Sequence, residues 1–198
     1  MWWSCLLAAS IAMLSGCERS SVEPQEVFDP VGSVSFSYRG ARTGTFVASG
    51  EMQIQSASLP QFATGATAFK QDGLLNVFAF HGPTPNRGDF FALLLGEVSA
   101  PGSFPFDPVA CAQQVFTQCR LGFFVPDLDR QEFDDQFDLS ALSETAYVLV
   151  LGNIRITAHT PMRVRGTFQG IAFRGNEQTI QNLITVTSGK FDLPVRPQ

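Results

Sequence analysis

The chain has 198 residues, 44% of them hydrophobic, which is enough to bury one core within a single domain. Thirteen Lys and Arg stand against eighteen Asp and Glu, for a formal charge of −5 at pH 7. That balance excludes the basic footprint a nucleic-acid partner requires, and it argues against charge-driven adhesion to an anionic membrane surface.

The first element is an apolar run from Leu6 to Leu14, closed by Ser15, Gly16 and Cys17. Its length suits a signal-peptide core and falls short of the roughly 20 residues a spanning helix needs. Leu14-Ser15-Gly16-Cys17 resembles the lipobox of bacterial lipoproteins. The resemblance implies diacylglyceryl transfer to the Cys17 sulfur, cleavage before it, and a mature protein anchored in the membrane through lipid at Cys17. Residues 1–16 are then a signal peptide, although Met1-Trp2-Trp3-Ser4-Cys5 departs from that pattern by carrying no Lys or Arg. The same resemblance reads Glu18, where an aspartate would favour the inner membrane, as pointing to the outer membrane of a Gram-negative envelope.

Residues 17–32 turn polar, with Ser20, Ser21, Glu23, Pro24, Gln25 and Glu26, and read as a lipidated, flexible tether. The folded domain is expected over 33–198. Val34, Phe36 and Tyr38 alternate with Ser35 and Ser37, placing one apolar face on a first strand. Gly40 to Gly44 makes the turn, and the return strand from Thr45 toward Ile54 contains Gly50, the mark of a bulge or of a close backbone approach. Ala66 to Lys70 and Leu74 to Phe80 flank Asp72-Gly73, a hairpin signal. Gly82 to Gly88 is expected to interrupt the strands. Asp89 to Leu95 resumes them, dense enough in Phe and Leu for burial on both faces.

Ala100-Pro101-Gly102-Ser103-Phe104 reads as a turn into a short extended piece, and Asp107-Pro108 as the start of a helical turn near Val109 to Gln113. A strand from Val115 to Val125 follows, with Cys119 in its middle. Asp127 to Ser143 is acidic, and Phe133, Phe137 and Ala141 suggest a helical turn or two. Ala146 to Ala158, Met162 to Phe173 and Leu183 to Leu193 read as three long antiparallel strands. Many short strands with Gly and Pro between them imply an all-β fold: an antiparallel β-sandwich first, a β-barrel as the alternative. Gly152 to Thr157, Val164 to Phe168, Ile184 to Asp192 and Ala100 to Phe104 resemble the middle and C-terminal half of β-rich envelope lipoprotein families that carry no assigned activity.

Chemistry-bearing constellations are few. Cys111 and Cys119, eight residues apart in an exported chain, form a disulfide or remain two buried thiols. There is no Gly-x-Ser-x-Gly elbow, His-Glu-x-x-His or phosphate loop, and nothing in the spacing selects a triad such as Ser103, His81 and Asp89. The expectation is a non-enzymatic structural or interaction module without cofactor. Asp127, Asp129 and Asp135 provide a calcium-like fragment, but Glu132 stands where an EF-hand loop needs glycine, so the expected reading is a solvated acidic face and no metal. Arg155, Arg163 and Arg165 would gather on one face of the last hairpin if Val148, Val150, Ile154 and Ile156 share the other face with Met162, Val164 and Phe168. Such a patch takes an anion or, the preferred reading, carboxylates from the acidic segment. Nineteen Phe residues suit a packed core, with a Phe-lined cavity for an apolar small molecule as the alternative.

Overall fold

The computed structural model describes residues 29–52, 64–84, 87–129, 145–175 and 179–196. Cys17, the tether up to residue 28, Asp135, Phe133 and Phe137 lie outside them. Local turn chemistry builds the first half of the sheet. β1 (Gly32–Gly40) and β2 (Gly44–Gly50) pair antiparallel from Gly32 opposite Gly50 to Tyr38 opposite Gly44. β3 (Gly65–Gln71) and β4 (Leu74–Thr84) meet at Asp72-Gly73, where both residues adopt the positive φ a two-residue hairpin demands.

β5 (Arg87–Glu97) returns alongside β4, β6 (Gly102–Pro105) is a short strand, and α1 (Pro108–Ala112) is one helical turn. Asp107 caps α1 as expected, its Oδ1 accepting from the Ala110 N–H at 2.9 Å. β7 (Leu121–Asp129), β8 (Tyr147–His159), β9 (Arg163–Arg174) and β10 (Leu183–Arg196) complete the ten-stranded sheet.

The architecture is all-β, and of the two expected forms it is the barrel. β10, β3, β4, β5, β7, β8 and β9 pair in that order, and β9 pairs back onto β10, closing seven strands. The physical reason lies in β10. β9 covers one of its edges, while the other pairs first with β1 and then, through Val195 opposite Ala68, with β3 in parallel. An edge that a sandwich would leave open is thereby used up.

Bulges decide which side chains face inward. On β8 the register shifts between Leu149 and Leu151, so Tyr147 and Leu149 are buried together with Ile154 and Ile156. The expectation that Val148 and Val150 share a face with Ile154 fails for this reason: one extra residue inverts the alternation. β10 repeats the device between Val186 and Gly189.

Two other expectations are corrected. Gly82, Pro83 and Thr84 continue β4, and Arg87 and Gly88 already belong to β5, with Thr84 paired to Arg87. The two backbones close in where a side chain would not fit: a Cβ on Gly88 would stand 2.4 Å from the His81 carbonyl oxygen. Nor does a strand cover Val115 to Cys119. The Cα atoms of Cys111 and Cys119 are 4.5 Å apart, so the intervening chain must double back, and Val115, Phe116 and Thr117 form turns ahead of β7.

The interior is aromatic. The Phe36 ring lies 5.0 Å from Phe46, 4.9 Å from Phe91, 5.2 Å from Phe124 and 5.7 Å from Phe168, centroid to centroid. Glycines make room for these rings: a Cβ on Gly166 would stand 2.4 Å from Phe191 Cζ. β4, β5 and β7 are buried on both faces, as the density of Asp89 to Leu95 predicts, with Phe80, Phe90, Ala92 and Val125 in a second cluster.

Candidate functional site

Of the arginines singled out from sequence, Arg163 and Arg165 share a carboxylate, Asp192, and Arg155 has other cross-strand neighbours. Arg165 stands opposite Ala158 on one side and Asp192 on the other, while Arg155 is opposite Thr167 and Ser103. Asp192 therefore lies within reach of both Arg163 and Arg165 of β9. Its Oδ1 accepts from Arg163 Nε at 2.5 Å and its Oδ2 from Arg165 Nε at 2.9 Å.

Arg163 does more, donating through Nη1 to the Asp29 carbonyl at 3.3 Å and through Nη2 to the Val31 carbonyl at 3.2 Å, with Asp29 Oδ2 at 3.3 Å. It thus clasps the entering chain to the β9–β10 pair. Internal carboxylates satisfy Arg163 and Arg165, as preferred, but they come from Asp192 and Asp29 rather than from the acidic segment. Asp192 was missed because its role depends on the β9–β10 register, which sets it opposite Arg165 and two positions from the partner of Arg163.

Arg155 is exposed, and among the described residues no carboxylate comes within ion-pair distance of it. Beside this row a shallow groove of about 310 Å³ is lined by Ser33, Ser35, Thr157, Arg165, Thr167 and Lys190. Hydroxyls and two cations, one already neutralised by Asp192, make a polar face without a nucleophile and base in contact.

Asp192→Asn is expected to lower stability by about 1 to 2 kcal/mol, because Arg163 is mostly buried and loses a charged acceptor. The loss should shrink in an Arg163→Ala background, read as a double-mutant cycle in urea. Additive losses would mean that the two groups are not coupled.

The acidic segment contributes one described carboxylate elsewhere. Asp127, near the end of β7, accepts from Arg42 Nη1 at 2.7 Å, and its own N–H donates to Asp89 Oδ1 at 2.9 Å. This group sits at the barrel mouth beside Tyr38. Burial raises the Tyr38 phenol above its usual range, and the Asp89 charge adds to that. The hydrogen bond to Asp127 likewise raises Arg42.

Asp129 ends β7, and among the described residues no cluster of three His, Cys, Asp or Glu side chains comes together. Ser103, His81 and Asp89 are not assembled either. His81 is the cross-strand partner of Asp89, but Ser103 lies on β6, three strands from β5 in the sheet order.

His159, at the opposite end of β8, has a buried Nε2 with no hydrogen-bond partner. Burial lowers its pKa and Lys70 lowers it further, against an upward pull from a hydrogen bond to the Ser99 backbone. The unfolded chain therefore takes up a proton first as pH falls below about 6.5, so stability declines from there until the folded imidazole also titrates. His159→Gln is expected to flatten this acid-side decline in the urea midpoint; an unchanged slope between pH 7 and pH 5 would count against it.

Cys111 and Cys119 are at disulfide distance, with Cys119 buried. The pairing closes a loop between α1 and β7. Compared with protein-family models, with curated proteins and with solved structures, the chain matches none, so its functional reading rests on the residues and geometry given above.

Proposed function

We propose that the protein is a lipid-anchored lipoprotein of the bacterial cell envelope whose barrel acts as a non-enzymatic structural or interaction module. The observation that carries this reading is the apolar run ending in Leu14-Ser15-Gly16-Cys17, with Cys17 as the lipidated residue. The Cys111–Cys119 pair supports it, since disulfides persist outside the reducing cytoplasm. The Phe rings in mutual contact support a packed core over a cavity for an apolar ligand. Glu18, in place of the aspartate that favours the inner membrane in the lipoproteins it resembles, supports an outer-membrane anchor.

Intact mass of the membrane-extracted protein, wild type beside Cys17→Ala, tests the reading. The wild type is expected to begin at Cys17 with added acyl mass, and the variant to lack that mass. A wild-type chain that begins elsewhere and carries no lipid would refute the anchor.

A further inference from the structure

The strand directions give the barrel two unlike ends. β3, β5, β8 and β10 finish at one end, where β4, β7 and β9 begin. The turn at Asp72-Gly73, the disulfide loop, the turn before Arg163 and the entering residues Asp29 to Val31 all gather there. The opposite end carries the polar group of Arg42, Asp89 and Asp127.

Exposed large apolar side chains concentrate at the first end. Val109 is 61% exposed and Phe116 55%, with Val115 between them in the disulfide loop, and across the rim Val31 is 48% and Met162 40% exposed. Among the described residues the polar end shows Ile180, and Val47 and Leu151 are exposed along the strands between the two ends. Single exposed hydrophobics are ordinary, whereas several on one rim mark a contact surface.

These side chains are also held in place. The disulfide closes the loop, and the Glu97 N–H donates to the Thr117 carbonyl at 2.9 Å, tying the loop to β5. Arg163 fixes the Val31 carbonyl. A rigid apolar rim loses little conformational freedom on docking.

What covers this rim follows from where the chain enters it. Asp29 leads directly into residues 17–28 and the lipid-bearing Cys17. Twelve residues reach roughly 40 Å when extended, so the anchor by itself does not orient the barrel. The apolar rim does. We propose that this end rests on the lipid bilayer, with Phe116 and Val109 on one side and Val31 and Met162 on the other entering the headgroup boundary; the proposal rests on the lipoprotein reading.

Charges at this rim are mixed, Lys70 and Arg120 against Asp72 and Glu97, so contact depends on apolar insertion and not on anionic lipid. The polar end, with its Arg42–Asp127 pair, then faces away from the membrane.

Trp2 and Trp3 are the chain's two tryptophans, and signal cleavage removes both. Phe116→Trp and Ile180→Trp are therefore single reporters in the mature protein, with wild type as the blank. Each is reconstituted into phosphatidylcholine vesicles with brominated acyl chains. F116W emission is expected to be quenched at least threefold more than that of I180W.

Equal quenching, or none in F116W while the protein co-sediments with vesicles, would overturn the orientation and leave the anchor intact. A concentration-dependent blue shift of F116W without vesicles would show a second copy covering the rim, and would also overturn it. If intact mass shows no lipid, selective quenching of F116W by added vesicles still supports the bilayer-facing rim and refutes only the anchor. Absence of both lipid and quenching refutes the two together.

Discussion

Phe36→Ala is expected to lower the free energy of unfolding by about 3 to 5 kcal/mol, read as a fall in the urea midpoint. The ring is 2% exposed and is contacted by rings from four other strands, β2, β5, β7 and β9. These rings are themselves closely packed, Phe91 to Phe168 at 5.0 Å, so they cannot collapse into the space vacated. A domain of this size has about 5 to 15 kcal/mol in all, so the loss is a large share of its stability.

Because β1 joins the barrel through β10, the same change should loosen the β1–β2 hairpin first and show early amide exchange there. A cost near 1 kcal/mol would mean that the interior closes around the gap, contrary to the packing described. Phe116→Ala, by contrast, removes an exposed ring and is expected to stay within about 0.5 kcal/mol.

The second large effect is expected from the double variant Cys111→Ala, Cys119→Ala, at about 2 to 3 kcal/mol. The bond closes a short loop, and without it the unfolded chain regains the freedom to open that loop. The folded loop is also tied by the Asp107 cap and by Thr117 to β5, so the barrel is expected to fold still, with Gln113 to Gln118 becoming sensitive to limited proteolysis. Reduction of the wild type in urea should reproduce the same midpoint shift. An unchanged midpoint in both experiments would show that the bridge contributes nothing.

The strands nearest their turns were the most legible. Asp72-Gly73 fixes a hairpin through two positive φ values, and Asp107-Pro108 starts α1 through a side-chain cap; both causes are local and reside in the residues themselves. The three C-terminal strands were also readable, since their alternation runs over ten or more residues. The face of each side chain was harder to read. The bulge near Leu151 exchanges Val148 and Val150 for Tyr147 and Leu149 in the core, and no local pattern announces it. The pairing of Arg163 and Arg165 with Asp192 was inaccessible for a similar reason: it depends on register between strands.

By itself the sequence determined that this is an acidic, all-β chain, that its turns fall where Gly, Asp and Pro permit them, and that Cys111 and Cys119 are the pair available in its folded part. The tertiary structure alone decided that the sheet closes into a barrel, because β10 shares one edge between β1 and β3. It also decided that Asp192 and Asp29 neutralise Arg163 and Arg165, and that apolar side chains from the disulfide loop and the entering chain lie at one rim. The physical reason is range. Turn geometry and alternation act over a few residues, whereas closure, register and the composition of an end arise only when strands distant in the chain become neighbours.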